Sequence, residues 1–73
     1  MAEIKFEIKE TTGTLSESAK GWKKELNLIS WNEKEAKYDI RDWDLEHKKM
    51  GKGVTLSVEE LKKLRDVLNE MEL

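Results

Sequence analysis

The sequence predicts an α+β fold in which four antiparallel strands precede one C-terminal helix, in the order β-β-β-β-α. Two observations lead to this prediction. Apolar and polar residues alternate in short segments before residue 57, and apolar residues recur at helical spacing after it. A chain of 73 residues forms one domain at most. Because one helix covers one face of such a sheet, we expect the other face to meet solvent or a ligand.

The first two predicted strands span residues 3–15 and 22–31. Around Phe6, apolar residues alternate with charged ones, as in a half-buried strand, and Gly13 marks a bulge or a bend. The small and polar residues 16–21 predict a turn. In the second strand both faces carry apolar and polar residues, so the alternation leaves open which face meets the core.

The third and fourth predicted strands span residues 37–43 and 53–56, with a polar loop over residues 44–52 between them. In the third strand Tyr38 and Ile40 share one face, which we take as the core side. The outward face then carries a mixture of charged and aromatic residues: Lys37, Asp39, Arg41 and Trp43.

The helix is predicted over residues 58–71. Ser57 and Glu60 have the spacing of a capping box, in which each side chain bonds the backbone N–H of the other residue. An apolar stripe follows at helical spacing: Leu61, Leu64, Leu68 and Met71. Such a stripe indicates core packing, and part of it could also meet a second subunit.

The formal net charge of the chain is −2, which argues weakly against a nucleic-acid partner. The charge is unevenly distributed, however, because residues 20–52 carry nine basic and seven acidic side chains, a net of +2, while both ends are acidic. No apolar run reaches the ~20 residues of a membrane span, and no secretory signal is visible. We therefore expect a soluble cytoplasmic protein.

Residues suited to catalysis or metal binding are scarce in this chain. Cysteine is absent and His47 is the only histidine, so the usual zinc ligand sets cannot form. A lone histidine in a charged loop indicates a solvated side chain. We predict that the protein is not an enzyme and takes no cofactor, metal or small-molecule substrate.

Three tryptophans stand among basic residues. Flat rings on a sheet can stack on exposed bases while nearby cations hold the adjoining phosphates. The residues with this potential are Lys20, Trp22, Lys23, Lys24, Trp31, Lys37, Arg41, Trp43 and Lys52. Each tryptophan could instead be a core residue, and Arg41 could instead pair with Asp39. Trp22 and Trp31 have opposite parity in an unbroken strand, so either one of them is core or a bulge separates them.

Several of these residues also resemble a known family. Positive cofactor four, or p15, is a family of transcriptional coactivators whose DNA-binding domain has motifs similar to Asp39-Ile40-Arg41 with Trp43, and to Lys52-Gly53-Val54-Thr55-Leu56 before an amphipathic helix. The segments 20–27 and 30–32 look like the small stand-alone bacterial members of that family. Together these matches cover residues 20–70 of the chain.

The resemblance implies a homodimer of curved antiparallel sheets, with the helices packing behind the sheets and dimerisation through helix and sheet edge. It also implies that the open sheet faces bind single-stranded DNA with little sequence preference. The family's binding surface corresponds to Arg41, Trp43, Lys52 and Trp31. Gly51 stands where relatives often carry a second basic residue.

The leading hypothesis is therefore a single-stranded-DNA-binding protein that acts in transcription regulation or in DNA replication and repair. Two alternatives share much of the pattern. A tryptophan-rich sheet face on a dimer could bind a peptide or a subunit of the transcription machinery. Single-stranded RNA also offers bases and phosphates to the same rings and cations.

Overall fold

The computed structural model describes residues 5–73 and contains one four-stranded sheet and one helix. The elements are β1 (Phe6–Glu17), β2 (Lys23–Trp31), β3 (Lys37–Trp43), β4 (Met50–Leu56) and α1 (Val58–Glu70). All neighbouring strands are antiparallel, and their order in the sheet is the order in the chain. The predicted α+β fold and its β-β-β-β-α order are confirmed.

Several strand boundaries differ from those predicted from the sequence, and the smallest difference is in β2, which begins at Lys23 instead of residue 22. β4 begins at Met50 instead of residue 53, because Met50 pairs with Trp43 of β3 in spite of the two glycines that follow it. The first strand, β1, continues to Glu17, which is two residues beyond its predicted end at residue 15. The predicted start of that strand at residue 3 lies outside the described residues.

The sheet is strongly bent, as the position of one arginine shows. Arg41 pairs with Glu25 of β2, and Trp31 lies six residues further along that strand. A flat strand would separate these positions by about 20 Å. The Arg41 guanidinium nevertheless lies 5.0 Å from the centre of the Trp31 ring. The strands therefore curl toward the side that carries these two residues, which we call the concave face.

The concave face comprises alternate residues of β2 and β3, and the helix lies on the opposite side of the sheet. Strand register places on the concave face Lys23, Glu25, Asn27, Ile29, Trp31, Lys37, Asp39, Arg41 and Trp43. The helix-side face carries Leu26 and Ile40, which line an open groove together with Leu64 of α1. Three register shifts in the β1–β2 pairing, one of them between Thr11 and Gly13, help β1 to follow the bend.

Burial differs from the prediction that Tyr38 and Ile40 mark the core side. Both of these side chains are only half-buried, whereas Ile29 and Trp43 on the concave face are 0% exposed. The prediction is right that Ile40 faces the helix, because it lines one groove with Leu64 of α1, but it missed that the curled sheet also buries its own concave face. The single helix, meanwhile, leaves the groove beside Ile40 open to solvent.

The start of α1 has the predicted capping box. The Glu60 backbone N–H donates to Ser57 Oγ at 3.1 Å, and the Ser57 N–H donates to Glu60 Oε1 at 2.9 Å. The hydrogen bond from the Ser57 backbone lowers the pKa of Glu60 from its ordinary value, since it favours the ionised carboxylate. Across residues 5–73, the chain has no helix with the length and apolar character required to cross a bilayer.

Candidate nucleic-acid interface

Three aromatic rings form one cluster on the concave face. Phe6 of β1 lies between the two tryptophans, with its ring centre 5.9 Å from that of Trp31 and 5.3 Å from that of Trp43. The His47 ring packs on Trp43, with 5.6 Å between the two ring centres. The cluster leaves Trp43 with no exposed surface, while Trp31 stays half-buried at its edge. Of the two strand tryptophans, Trp31 is therefore the one that a ligand can reach directly.

The Arg41 guanidinium covers part of the Trp31 ring, in the geometry of a cation–π contact. Hydrogen bonds to β3 and β4 fix the orientation of the Arg41 guanidinium. Its Nε donates to Asp39 Oδ1 at 2.8 Å, and its Nη1 donates to Met50 Sδ at 3.3 Å and to the Gly51 carbonyl oxygen at 3.4 Å. The side chain of Arg41 is 16% exposed. A cation is therefore held next to an aromatic ring at the rim of a concave surface.

Asp39 lies beneath this arginine and is completely buried. Each of its carboxylate oxygens has a partner. Oδ1 accepts from Arg41, and Oδ2 accepts from Thr55 Oγ1 of β4 at 3.0 Å. The ion pair between Asp39 and Arg41, one of the two roles that the sequence left open for this arginine, is present in the fold. A contact between Arg41 and a ligand remains compatible with it, because the pair engages Nε and leaves one edge of the guanidinium free to donate.

A second polar group lies deeper in the concave face. Glu25 is 4% exposed, and both of its carboxylate oxygens lie within hydrogen-bond distance of His47 Nε2, at 2.9 and 3.1 Å. Asn27, fully buried, donates its Nδ2 to Glu25 Oε1 at 3.0 Å. His47, predicted to be a solvated loop residue, is only partly solvated, since its side chain is 38% exposed. The rest of its ring packs between the buried Glu25 carboxylate and the Trp43 ring.

The β3–β4 loop is folded so that His47 reaches this position. The Asp44 carboxylate accepts backbone N–H bonds from Lys48 at 2.8 Å and Lys49 at 2.9 Å. These bonds, the one from Lys49 first, lower the pKa of Asp44 from its ordinary value. His47 itself adopts a left-handed backbone conformation, with φ of 58°. The loop thus acts as a compact cover for Trp43.

Strand register does not bring all the predicted cations to one surface. Lys23 is on the concave face opposite Trp43, whereas Lys24 is exposed on the helix-side face. Lys37 pairs with Ile29 at the far end of β3, and its charge lies close enough to lower the pKa of Glu60 in α1. Two of these predicted cations therefore lie away from the aromatic cluster, Lys24 on the helix-side face and Lys37 near the start of α1.

The remaining predicted site residues lie outside the regular pairing. Lys20 is exposed in the turn before β2, and Trp22, half-buried, directly precedes that strand. Lys52 is exposed in β4, where the pairing with β3 shifts register. Between Lys23 and Ile29 the β2–β3 register is continuous. The opposite parity of Trp22 and Trp31 is explained by the position of Trp22 before the strand, and no bulge in that pairing is needed.

Three polar atoms within the described part of the chain are buried without a hydrogen-bond partner: Asn27 Oδ1, Trp31 Nε1 and Trp43 Nε1. All three belong to the concave face. The sequence pattern did not indicate Glu25, Asn27, Met50 or Phe6 as part of a site. For Phe6 the apolar alternation of the first strand was a signal. That alternation shows which face of the strand Phe6 occupies, but it does not show which residues Phe6 contacts.

Comparison with known proteins identifies relatives. The model of the family described as Transcriptional Coactivator p15 (PC4) matches residues 18–67. An uncharacterized protein of Treponema pallidum (strain Nichols) is 53% identical over 68 residues, which are 93% of this chain and 80% of that protein. The family match includes β2, β3, β4 and most of α1, and it begins after the end of β1.

Proposed function

The chain belongs to the transcriptional coactivator p15 (PC4) family, and we propose that it binds single-stranded DNA with little sequence preference through the concave face. One observation carries the proposal. The Arg41 guanidinium lies 5.0 Å from the centre of the half-buried Trp31 ring, so a cation and a stacking surface are presented together. This pair of groups matches the two parts of a nucleotide that are accessible in a single strand, the base and the phosphate.

On this surface a base stacks on the accessible part of the Trp31 ring face. A phosphate of the same strand then meets Arg41, and Lys23 and Lys52 add positive charge along the path of the backbone. Stacking on a ring tolerates any base, since every base has a flat face, and this gives little sequence preference. In a duplex the bases are already stacked and hidden from Trp31, so we expect weaker binding. A protein of this kind can serve transcription regulation, replication or repair, each of which exposes single strands.

Trp43 has a different role in this surface from the one that its position near Arg41 in the sequence first indicated. Because Trp43 is 0% exposed and is packed between Phe6 and His47, we infer that it supports the surface from within and does not itself stack on a base. Phe6 transmits that support to Trp31.

A direct test measures the affinity for a fluorescently labelled oligo-dT by anisotropy, with competition by RNA and by duplex DNA. We expect affinity to fall as salt rises, because bound cations release counterions from the phosphates. Trp31→Ala is expected to weaken binding about five- to 150-fold, which corresponds to the ~1–3 kcal/mol of one stacking site. Trp22→Ala is the matched control, since this tryptophan is half-buried like Trp31 but lies before β2, and the cation–π contact of Arg41 is with Trp31.

Three outcomes would count against the proposal. One is binding that is indifferent to salt. A second is equal affinity for duplex and single strand. The third is a Trp31→Ala variant that binds as tightly as the unaltered protein while its circular dichroism remains unchanged. If the protein prefers RNA over DNA, the concave face remains the proposed binding surface, and its ligand is single-stranded RNA instead of DNA.

We also propose that two copies of the chain associate through the helix side. The open groove between α1 and the sheet has a volume of about 470 Å³ and is lined mainly by apolar residues: Leu15, Leu26, Ile40, Leu61, Leu64 and Leu68. Leu15 and Leu68 are 59% and 46% exposed in the single chain. Exposing such an apolar surface to water is unfavourable. A small domain that associates with a second copy buries this surface and thereby enlarges its hydrophobic core.

Sedimentation velocity tests the association. The unaltered protein is expected to sediment as a dimer, and Leu68→Lys is expected to shift it to monomer, because a charge in the groove cannot be buried without a partner. Leu73→Lys is the control, since Leu73 is 97% exposed and does not line the groove. A monomeric unaltered protein, or equal behaviour of the two variants, would contradict the proposed dimer.

A further inference from the structure

We infer that Asp39 is a positioning residue that holds Arg41 in place for a phosphate, an inference that rests on the proposed function. The observation behind it is the burial of a carboxylate directly under the concave face. Asp39 is 0% exposed, and a charged group in that position is costly unless it is paired. Both of its oxygens are paired, one with Arg41 Nε at 2.8 Å and the other with Thr55 Oγ1 at 3.0 Å.

These contacts form a chain that crosses from β4 to the binding surface. Thr55 pairs with Asp39 in the β3–β4 register, so the sheet sets the backbone position from which its hydroxyl reaches the carboxylate. The hydroxyl holds one carboxylate oxygen, and the other oxygen holds the arginine. Met50 Sδ and the Gly51 carbonyl receive the Nη1 group on the far side. The guanidinium plane is therefore fixed at two of its three nitrogens.

An arginine fixed in this way differs from a free surface arginine when a phosphate arrives. A free side chain loses rotamer freedom on binding, whereas the Arg41 side chain is already ordered. Its Nη2 group, which has no hydrogen bond to any described residue, is the one that remains to donate to a phosphate oxygen. With Nε and Nη1 engaged, we expect Nη2 to be the nitrogen that meets a phosphate beside the Trp31 ring, whose centre lies 5.0 Å from the guanidinium carbon.

Simple electrostatics makes the opposite prediction for Asp39. A carboxylate near a phosphate site repels the ligand, so its removal should strengthen binding. If Asp39 positions Arg41, its removal should weaken binding although the protein becomes more positive. The sign of the change in affinity therefore separates a positioning residue from a mere negative charge near the site.

The experiment measures oligo-dT affinity and its salt dependence for Asp39→Asn, which keeps the size of the side chain. We expect affinity to fall about tenfold, because a neutral amide oxygen replaces the ionised acceptor that holds Arg41, with a salt slope reduced by roughly one phosphate contact. Asp42→Asn is the matched control, because Asp42 is on the helix-side face opposite Lys24. It removes the same charge and is expected to leave affinity unchanged or slightly higher.

A second variant keeps the test decisive where Asp39→Asn impairs folding. Thr55→Val changes no charge and removes only the bond to Asp39 Oδ2 from an exposed residue. We expect about a two- to tenfold loss of affinity, as for one ordinary hydrogen bond. Thr55→Ser restores a hydroxyl and is expected to restore most of the affinity.

A double-mutant cycle with Arg41→Ala shows whether Asp39 acts through the arginine. In the Arg41→Ala background, Asp39→Asn should produce no further loss. If Asp39→Asn raises affinity, leaves it unchanged, or lowers it equally in both backgrounds, the inference is overturned while the proposed function stands. If the unaltered protein fails to bind oligo-dT at low salt, both the proposed function and the inference about Asp39 are wrong.

Discussion

Trp43→Ala is expected to destabilise the domain by about 3–5 kcal/mol, the usual range for removing a buried large aromatic side chain. Trp43 is 0% exposed, and it contacts both Phe6 and His47. Small domains are stable by only about 5–15 kcal/mol, so this substitution removes a large part of the total. Chemical denaturation followed by circular dichroism measures the change in the free energy of unfolding.

Trp43→Phe is the matched control for this prediction. It retains a ring between Phe6 and His47, and the indole Nε1 that it removes has no hydrogen-bond partner in the described chain. Its cost should therefore be clearly smaller than that of alanine. If Trp43→Ala left stability unchanged and reduced only the affinity for DNA, Trp43 would be a stacking residue and its assignment as a core residue would be wrong.

Gly53→Ala is expected to cost about 3 kcal/mol, at the upper end of the range for overpacking, because the obstruction is backbone. A Cβ at this position would overlap with the Cβ of Arg41 and the carbonyl oxygen of Ile40, and would lie 2.9 Å from Arg41 Cα. The β3–β4 pairing would have to separate where Arg41 is held. Both the free energy of unfolding and oligo-dT affinity should therefore fall together.

Gly13→Ala provides the control, since a Cβ there would meet no atom within 4 Å. Its effect on stability is expected to stay within about 0.5 kcal/mol, as for an ordinary surface change. Hydrogen exchange of the β4 amides, measured for both variants, locates the damage. Equal protection of β4 in Gly53→Ala and in the unaltered protein would contradict the close approach of the two strands.

The order of the elements could be predicted from the sequence because each signal is local. The capping box at Ser57 and Glu60 needs only three residues of spacing, and the alternation around Tyr38 assigns faces correctly. The start of β4 was missed because Gly51 and Gly53 also suit a turn. Only the pairing with β3 decides between the two, and a pairing partner is not visible in a single segment.

The bend of the sheet was not predictable by the same reasoning. It brings Phe6 against Trp43 and Arg41 over Trp31, contacts between residues far apart along the chain or along a strand. Alternation assigns Trp43 to a face but says nothing of whether that face closes on itself. The pairing of His47 with Glu25 likewise depends on how the β3–β4 loop folds over the sheet.

The contribution of β1 could not be predicted from the family resemblance either. The family match begins at residue 18, one residue after β1 ends, yet Phe6 of that strand separates the two tryptophans of the cluster. The residues that form the surface are in the matched segment, and a residue that supports them is outside it. The contribution of β1 could be found only from the packing of the folded chain.

The most direct test of the concave face as the binding surface is a heteronuclear NMR titration of the protein with oligo-dT. We expect the largest shift changes at the Trp31 indole N–H and the Arg41 Nε–H, with little change at Leu64 in the groove on the helix side. Changes concentrated along the groove, with Trp31 and Arg41 unmoved at saturation, would place the ligand on the wrong side of the sheet and contradict this account.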